Sequence, residues 1–464
     1  MMLMSKAAKA LNAELIGTDV MFTAVSKDSR DIADGSLYVA LKGERFDGHE
    51  FVEQAGAAGA SGILVSELQP VQLPQIRVND TRLALGELAA YWRQQFIGKL
   101  VGVTGSNGKT TVKEMTRSIL EHAAGAEHVL STAGNLNNDI GMPMTLLSLR
   151  QQHNFAVIEM GANHPGEIDY LTHIAQPHVA VITNAGPAHL EGFGSIEKVA
   201  SSKAEIYSGL VDGGTAVINA DDAYADYWKS VCKKLGDDKR VITFSAQDES
   251  ADVYAAITQT NGKTTIQIKT PLGNGVVQLA VPGQHNVMNA LAAAAITVAL
   301  GVSLDDIIKG LDAFGGVSGR LATSYTSSGA CIINDTYNAN PQSLYAAMNV
   351  LAAREGDTWL VLGDMAELGD DKEALHRRAG EQARALGIRH LFATGDLARH
   401  AVESFGKDAQ FFQDRQQLIE QLEQGLTGDS VVLVKGSRSM CMEQIVNALL
   451  DQHDVQEVHK CCCL

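Results

Sequence analysis

The chain has 464 residues, 45% hydrophobic and 20% charged, a balance that supports buried cores and argues against disorder. Its 54 acidic and 37 basic side chains leave a net charge of −17, which repels nucleic acid over most of the surface and excludes it as a partner. The length predicts about three domains, and the lack of a secretory signal or of an apolar run near the ~18 residues of a membrane span predicts a cytoplasmic protein without membrane contact.

Residues 1–82 are expected to form a small mixed α/β domain. Within it, 36–41, 62–66 and 75–78 read as short strands and 49–60 as an alanine-rich helix. Asp80 or Thr81 can cap a helix running to about residue 96, across the boundary. Residues 83–313 open with a buried-type strand at 99–104, then a glycine loop, then a helix on which Val112, Met115, Ile119 and Leu120 recur at helical spacing. Apolar runs at 155–159, 179–183, 215–219 and 241–244 alternate with helical stretches, which predicts a parallel sheet covered on both faces. From 252 to 281 the pattern alternates with period two about Asn261-Gly262, predicting an antiparallel insert, and an alanine-rich helix follows at 286–300. A glycine-rich linker, 314–320, leads to strands at 330–334, 358–362, 390–393 and 430–434 with helices between. The fold class is therefore α/β in three domains: the mixed N-terminal one, a central P-loop parallel-sheet ATPase domain with an antiparallel insert, and a Rossmann-like domain over 314–464.

Gly105-Ser106-Asn107-Gly108-Lys109-Thr110-Thr111 joins the strand at 99–104 to the following helix. In that context loop amides and the helix N-terminus converge on an anion, the lysine reaches outer phosphates and Thr110 meets magnesium. The strict phosphate-loop pattern asks for glycine where Val103 stands, so Gly105 and Gly108 carry the turn. A near copy, residues 260–265, lies between alternating segments with no helix after it and reads as a hairpin turn. Glu159 ends a strand, and His189 follows the next one; facing the phosphate loop, the pair could hold magnesium, whereas a lone histidine is as readily structural. Lys203 reads on its own as a solvated helix lysine, and residues 134–143, with Asn135, Asn137 and Asn138, as a polar loop suited to ligand contacts. Cys232, Cys331 and Cys441 are isolated, and the terminal run Cys461 to Cys463 matches a prenylation box by position only, without aliphatic middle residues or upstream basic ones, so it reads as an exposed thiol end.

Together these residues resemble the Mur ligase family, ATP-dependent amide ligases of peptidoglycan assembly. The resemblance implies that residues 105–111 bind ATP, that Glu159, His189 and Lys203 fall at the family's metal and lysine positions, and that His285, Asn286 and Asn289 lie on the adenine side. It makes Arg320 the linker arginine, with Gly315, Gly316 and Gly319 as the hinge. Four stretches (28–30 with 41–49, 135–143, 334–341 and 361–369) favour the branch that joins D-alanyl-D-alanine to a UDP-N-acetylmuramoyl-tripeptide, and the Asp-Asn-Pro-Arg tetrapeptide of the sibling that adds the third amino acid is absent. By the same resemblance Ser29, Arg30, Lys42, Gly43, Phe46, Asp47 and His49 hold the UDP-sugar, and Asn135, Asn137 and Asn138 the substrate. Asp335, Asn338 and residues 435–438 would close over the nucleotide and admit the dipeptide. ATP and Mg2+ are the implied cofactors, with the metal on Thr110, Glu159 and His189, a carbamate on Lys203, and the protein a monomer. An acyl phosphate formed from the peptide carboxylate would then be attacked by the dipeptide amine. The rival readings are a P-loop kinase, a nucleotide switch, and a folate polyglutamate ligase of the same family.

Overall fold

Runs of valine, isoleucine and alanine bounded by turn residues become the strands of a nine-stranded sheet in the computed structural model, which describes residues 1–43, 46–187, 190–260 and 263–450. Lys99–Thr104 lies between Phe155–Glu159 and Val179–Ile182, all parallel. Val129–Ser131 is the edge beyond Phe155–Glu159; on the other side Thr215–Asn219 and Arg240–Ser245 continue the parallel order. Register sets Glu159 opposite Val103 and Ile182 opposite Thr104, so three strands end side by side where the chemistry of an open sheet collects. Alternate residues feed two cores. Val101, Val103 and Val181 pack with Val112, Met115 and the alanines of helix Gln284–Ala299, while Leu100, Ile158 and Ile182 face the opposite layer.

The expected antiparallel insert is present as Val253–Thr260, Lys263–Thr270 and Gly273–Leu279, but it extends the same sheet, because Val253–Thr260 pairs parallel with Arg240–Ser245. The dipeptide Asn261-Gly262 lies outside the described residues. A separate sheet in the C-terminal region has six strands, with Ala322–Tyr325 antiparallel at one edge and the other five parallel.

In the N-terminal region five strands order as Glu14–Ile16, Gln75–Arg77, Gly62–Val65, Ser36–Val39 and Ala24–Ser26. The helix expected over 49–60 is shorter and divided, a 3₁₀ turn Gly48–Phe51 followed by Val52–Ala57. A second helix, Met4–Ala10, escaped the sequence pattern because its seven residues span barely two turns. Residues 134–143 were expected to be loop throughout, yet Gly141–Leu147 is helical: Asn138 Oδ1 accepts the amides of Ile140 and Gly141, and Pro143 is tolerated in the first turn, where its missing N–H costs nothing.

Helix Thr81–Arg93 starts where expected and stops three residues short of 96, continued by turn bonds. Asp80 caps it by accepting the amides of Arg82 at 2.7 Å and Leu83 at 3.0 Å. Asp80→Ala is expected to cost about 1 kcal/mol of helix stability, visible as faster amide exchange in the first turn. Among the described residues no helix is long and apolar enough to cross a membrane.

Candidate active site

The turn from strand Lys99–Thr104 into helix Lys109–Ala124 is left-handed at two glycines, Gly105 at φ +148° and Gly108 at φ +80°. A Cβ on Gly105 would meet the Thr183 hydroxyl and one on Gly108 the Asn289 amide oxygen, so both positions require glycine for space as well as conformation. The loop is strapped from the neighbouring strand end: Thr183 Oγ1 donates to the Asn107 carbonyl at 2.6 Å, and Asn184 Oδ1 accepts the Asn107 amide at 3.0 Å. Ser106 Oγ donates to the Gly186 carbonyl at 3.1 Å. Lys109 turns its ammonium onto the Gly105 carbonyl at 2.7 Å. Burial, with Arg320's charge adding, holds that lysine below its ordinary range, and Glu159 opposes the shift.

Glu159 is 2% exposed, and both of its carboxylate oxygens are engaged. Thr110 Oγ1 donates to Oε2 at 3.0 Å, and Asn137 Nδ2 to Oε1 at 2.8 Å. Arg320 reaches in from the linker, donating from Nη2 to Thr110 Oγ1 at 2.8 Å while its guanidinium lies 4.1 Å from the centre of the Tyr337 ring. Its Nε is buried and takes no hydrogen-bond partner among the described residues. A loop of amides, a lysine and an arginine with an orphaned buried donor fit a polyphosphate. The paired oxygens of Thr110 and Glu159 are the hard donors magnesium takes when it shares its shell with phosphate and water. Among the described residues no group of three His, Cys, Asp or Glu side chains could hold a metal without such help. His189 lies outside the described residues.

These groups face a cavity of about 1640 Å³, which Ser106, Asn107, Thr111, Asn135, Asn138, His285, Asn286, Asn289, Asp335 and Asn338 also line. The third domain closes the far wall. Lys435 and Asp335 form a buried ion pair there; Lys435 Nζ also donates to the Asn338 carbonyl at 2.9 Å, and Asp335 Oδ1 accepts the Leu321 amide at 3.2 Å, beside Arg320. Burial lowers the pKa of His285 next to that pair. Lys203 does not line the cavity. It is 2% exposed, 5.3 Å from the Phe193 ring, and burial pushes its amine down to about 7, helped by Lys109 and opposed by Glu205 and Glu167.

Ser29, Arg30, Lys42, Gly43, Phe46, Asp47 and His49 are not part of the cavity wall; they gather separately in the N-terminal domain. Arg30 grips Asp28 through two nitrogens, which lowers that carboxyl to about 2. Asp47, also near 2 chiefly through the His49 amide, accepts from His49 Nδ1 and faces Lys42 at 3.3 Å. Both carboxylates flank Tyr38, whose hydroxyl burial raises to about 12. Ser29 Oγ donates to Gln54. Glu44 and Arg45 of this loop lie outside the described residues.

Three family models match in succession: the Mur ligase family catalytic domain at residues 22–93, the Mur ligase middle domain at 103–297, and the Mur ligase glutamate ligase domain at 319–438. A UDP-N-acetylmuramoyl-tripeptide–D-alanyl-D-alanine ligase of Escherichia coli K12 is 45% identical over 96% of this chain and 98% of its own. The chain belongs to the Mur ligase family. Crystal structures of MurF from Acinetobacter baumannii (TM-score 0.88, 38% identity, 96% of this chain and 98% of that one) and from Thermotoga maritima in complex with ADP (0.80, 28%, 92% and 97%) share the three-domain α/β architecture.

Gln342 and Lys113 of this Mur ligase's site were not singled out from sequence, nor were the partners of the phosphate-loop residue Asn107. Asn107 gives its side chain to the third domain, accepting from Asn340 Nδ2 at 2.8 Å and donating to Gln342 Oε1 at 3.0 Å. Asn340 at the same time caps helix Pro341–Ala352 in a reciprocal capping box with Ser343. The Asn-Pro pair starting that helix was a readable cap signal; its partner across the domains was not. Lys113, 1% exposed, carried no periodicity signal, because its neighbours at helical spacing are Lys109, Thr110, Thr116 and Arg117.

Proposed function

We propose that the chain joins D-alanyl-D-alanine to a UDP-N-acetylmuramoyl-tripeptide at the expense of ATP, in the cytoplasmic stage of peptidoglycan precursor synthesis. The observation that carries this reading is the arrangement of Lys109, Thr110, Glu159 and Arg320 at one phosphate loop, in a chain 45% identical to a ligase of that name over nearly its whole length. Lys109 and the loop amides take the β- and γ-phosphates, and Arg320 spans from the linker onto the transferring group. Thr110 and Glu159 offer their oxygens to magnesium, which when bound neutralises charge on those phosphates.

The tripeptide carboxylate attacks the γ-phosphorus and ADP leaves, giving an acyl phosphate. The dipeptide amine, having lost its proton, attacks the acyl carbon, and phosphate departs. No side chain acts as nucleophile; the protein orients three reactants and excludes water as its domains close. The Asn135–Asn138 segment, tied to Glu159 through Asn137, guides the peptide end toward the phosphate, while the N-terminal cluster from Asp28 to His49 takes the distant UDP-sugar.

Purified protein with Mg-ATP, the UDP-muramoyl tripeptide and D-alanyl-D-alanine is expected to release phosphate in step with the new amide, and not when either acceptor is left out. Sustained phosphate release without the dipeptide would favour a kinase or hydrolase. Turnover of a folate substrate in its place would move the chain to another branch of the family.

A further inference from the structure

Lys113 is a buried cation for which the reaction described above has no use. It lies one turn beyond Lys109 on helix Lys109–Ala124, borders the central cavity, and is 1% exposed. Its ammonium donates to the Thr132 carbonyl at 2.5 Å and meets the Glu114 carboxylate at 2.8 Å. Thr132 is fully buried, and its hydroxyl accepts the main-chain amide of Glu159 at 2.9 Å. That hydroxyl replaces a missing ladder bond. Edge strand Val129–Ser131 pairs with Phe155–Glu159 only as far as Val157, so toward that edge Thr132 is what holds the strand end bearing Glu159. A three-residue edge strand is weakly held by its own pairing.

We propose that Lys113 is a positioning residue for Glu159. One helix grips the glutamate at both ends: Thr110 binds the carboxylate directly, and Lys113, by pinning the Thr132 peptide, fixes the amide from which that carboxylate projects. The carboxylate is thereby held in one orientation toward a divalent cation beside Thr110. Without the ammonium, the Thr132 carbonyl is left buried and unpaired, and the strand end gains freedom. The inference rests on Glu159 helping to hold magnesium.

The test is Mn2+ binding to the full chain in the presence of ADP, followed by electron paramagnetic resonance without turnover. Lys113→Met, which keeps the apolar stem, is expected to weaken Mn2+ binding about 10-fold, as loss of an outer-shell support does. Thr132→Val, nearly the same shape, should weaken it similarly, and the double variant should be no worse than either alone. Parental Mn2+ affinity in folded Lys113→Met, or in Thr132→Val should the first variant not fold, overturns the proposal, provided Glu159→Gln binds weakly. Parental affinity in Glu159→Gln overturns the metal role of Glu159 and the proposal with it.

Discussion

Lys109→Met is expected to lower kcat/KM for ATP by about 10²–10³-fold, the usual cost of removing one preorganised group that meets developing charge. In the structure the ammonium rests on the Gly105 carbonyl at 2.7 Å, and its side chain leaves the first turn of the helix beside Thr110 and Arg320. A methionine fills the same space and keeps the glycine-shaped turn, so thermal stability should hardly change while phosphate release collapses. Steady-state kinetics beside a thermal melt separate the two effects. Activity within tenfold of the parent would mean that Arg320 and the loop amides suffice, and Lys109 would lose its assigned role.

Lys203→Ala is expected to cost about 10²-fold or more in kcat, with part of the loss restored by added acetate. Burial pushes the Lys203 amine down to about 7, so near neutral pH a large fraction is uncharged, and the uncharged amine is the form that adds carbon dioxide. On the loss of a proton that adduct would be the carbamate that the family resemblance implies, an anion where the buried amine had been. Acetate can stand in that space with the same charge. The sign with pH follows directly: raising pH through about 7 increases the reactive amine, so the parent's dependence on added bicarbonate should weaken over that range while the Ala variant shows none. Failure of every short carboxylate to restore turnover would rule out a carbamate on Lys203.

Most of the scaffold was legible because its signals are local. Strand Lys99–Thr104, the two glycines and the helix after them lie in one unbroken stretch, and the period-two run beyond residue 252 announces its strands. Val129–Ser131 went unseen because three residues cannot establish a period, and Ala409–Phe412 because Gln410 interrupts its apolar run. Gly141–Leu147 was hidden by the glycine and proline at its start, which usually signal a break. In the site, Glu159 and Thr110 were readable as strand-end and loop residues. The contacts of Asn107 with Asn340 and Gln342, and of Lys113 with Thr132, were not, because they join positions that only the folded chain brings together.

Asn107 spends both polar atoms of its side chain on the third domain, and Asn340 serves a helix cap and this contact at once. The last module of the chain is therefore not freely interchangeable. A chimera that grafted a relative's final domain onto this ATPase core would keep this contact only if the graft supplied amides where Asn340 and Gln342 stand; a transplant lacking them would leave the Asn107 side chain without its partners across the domains.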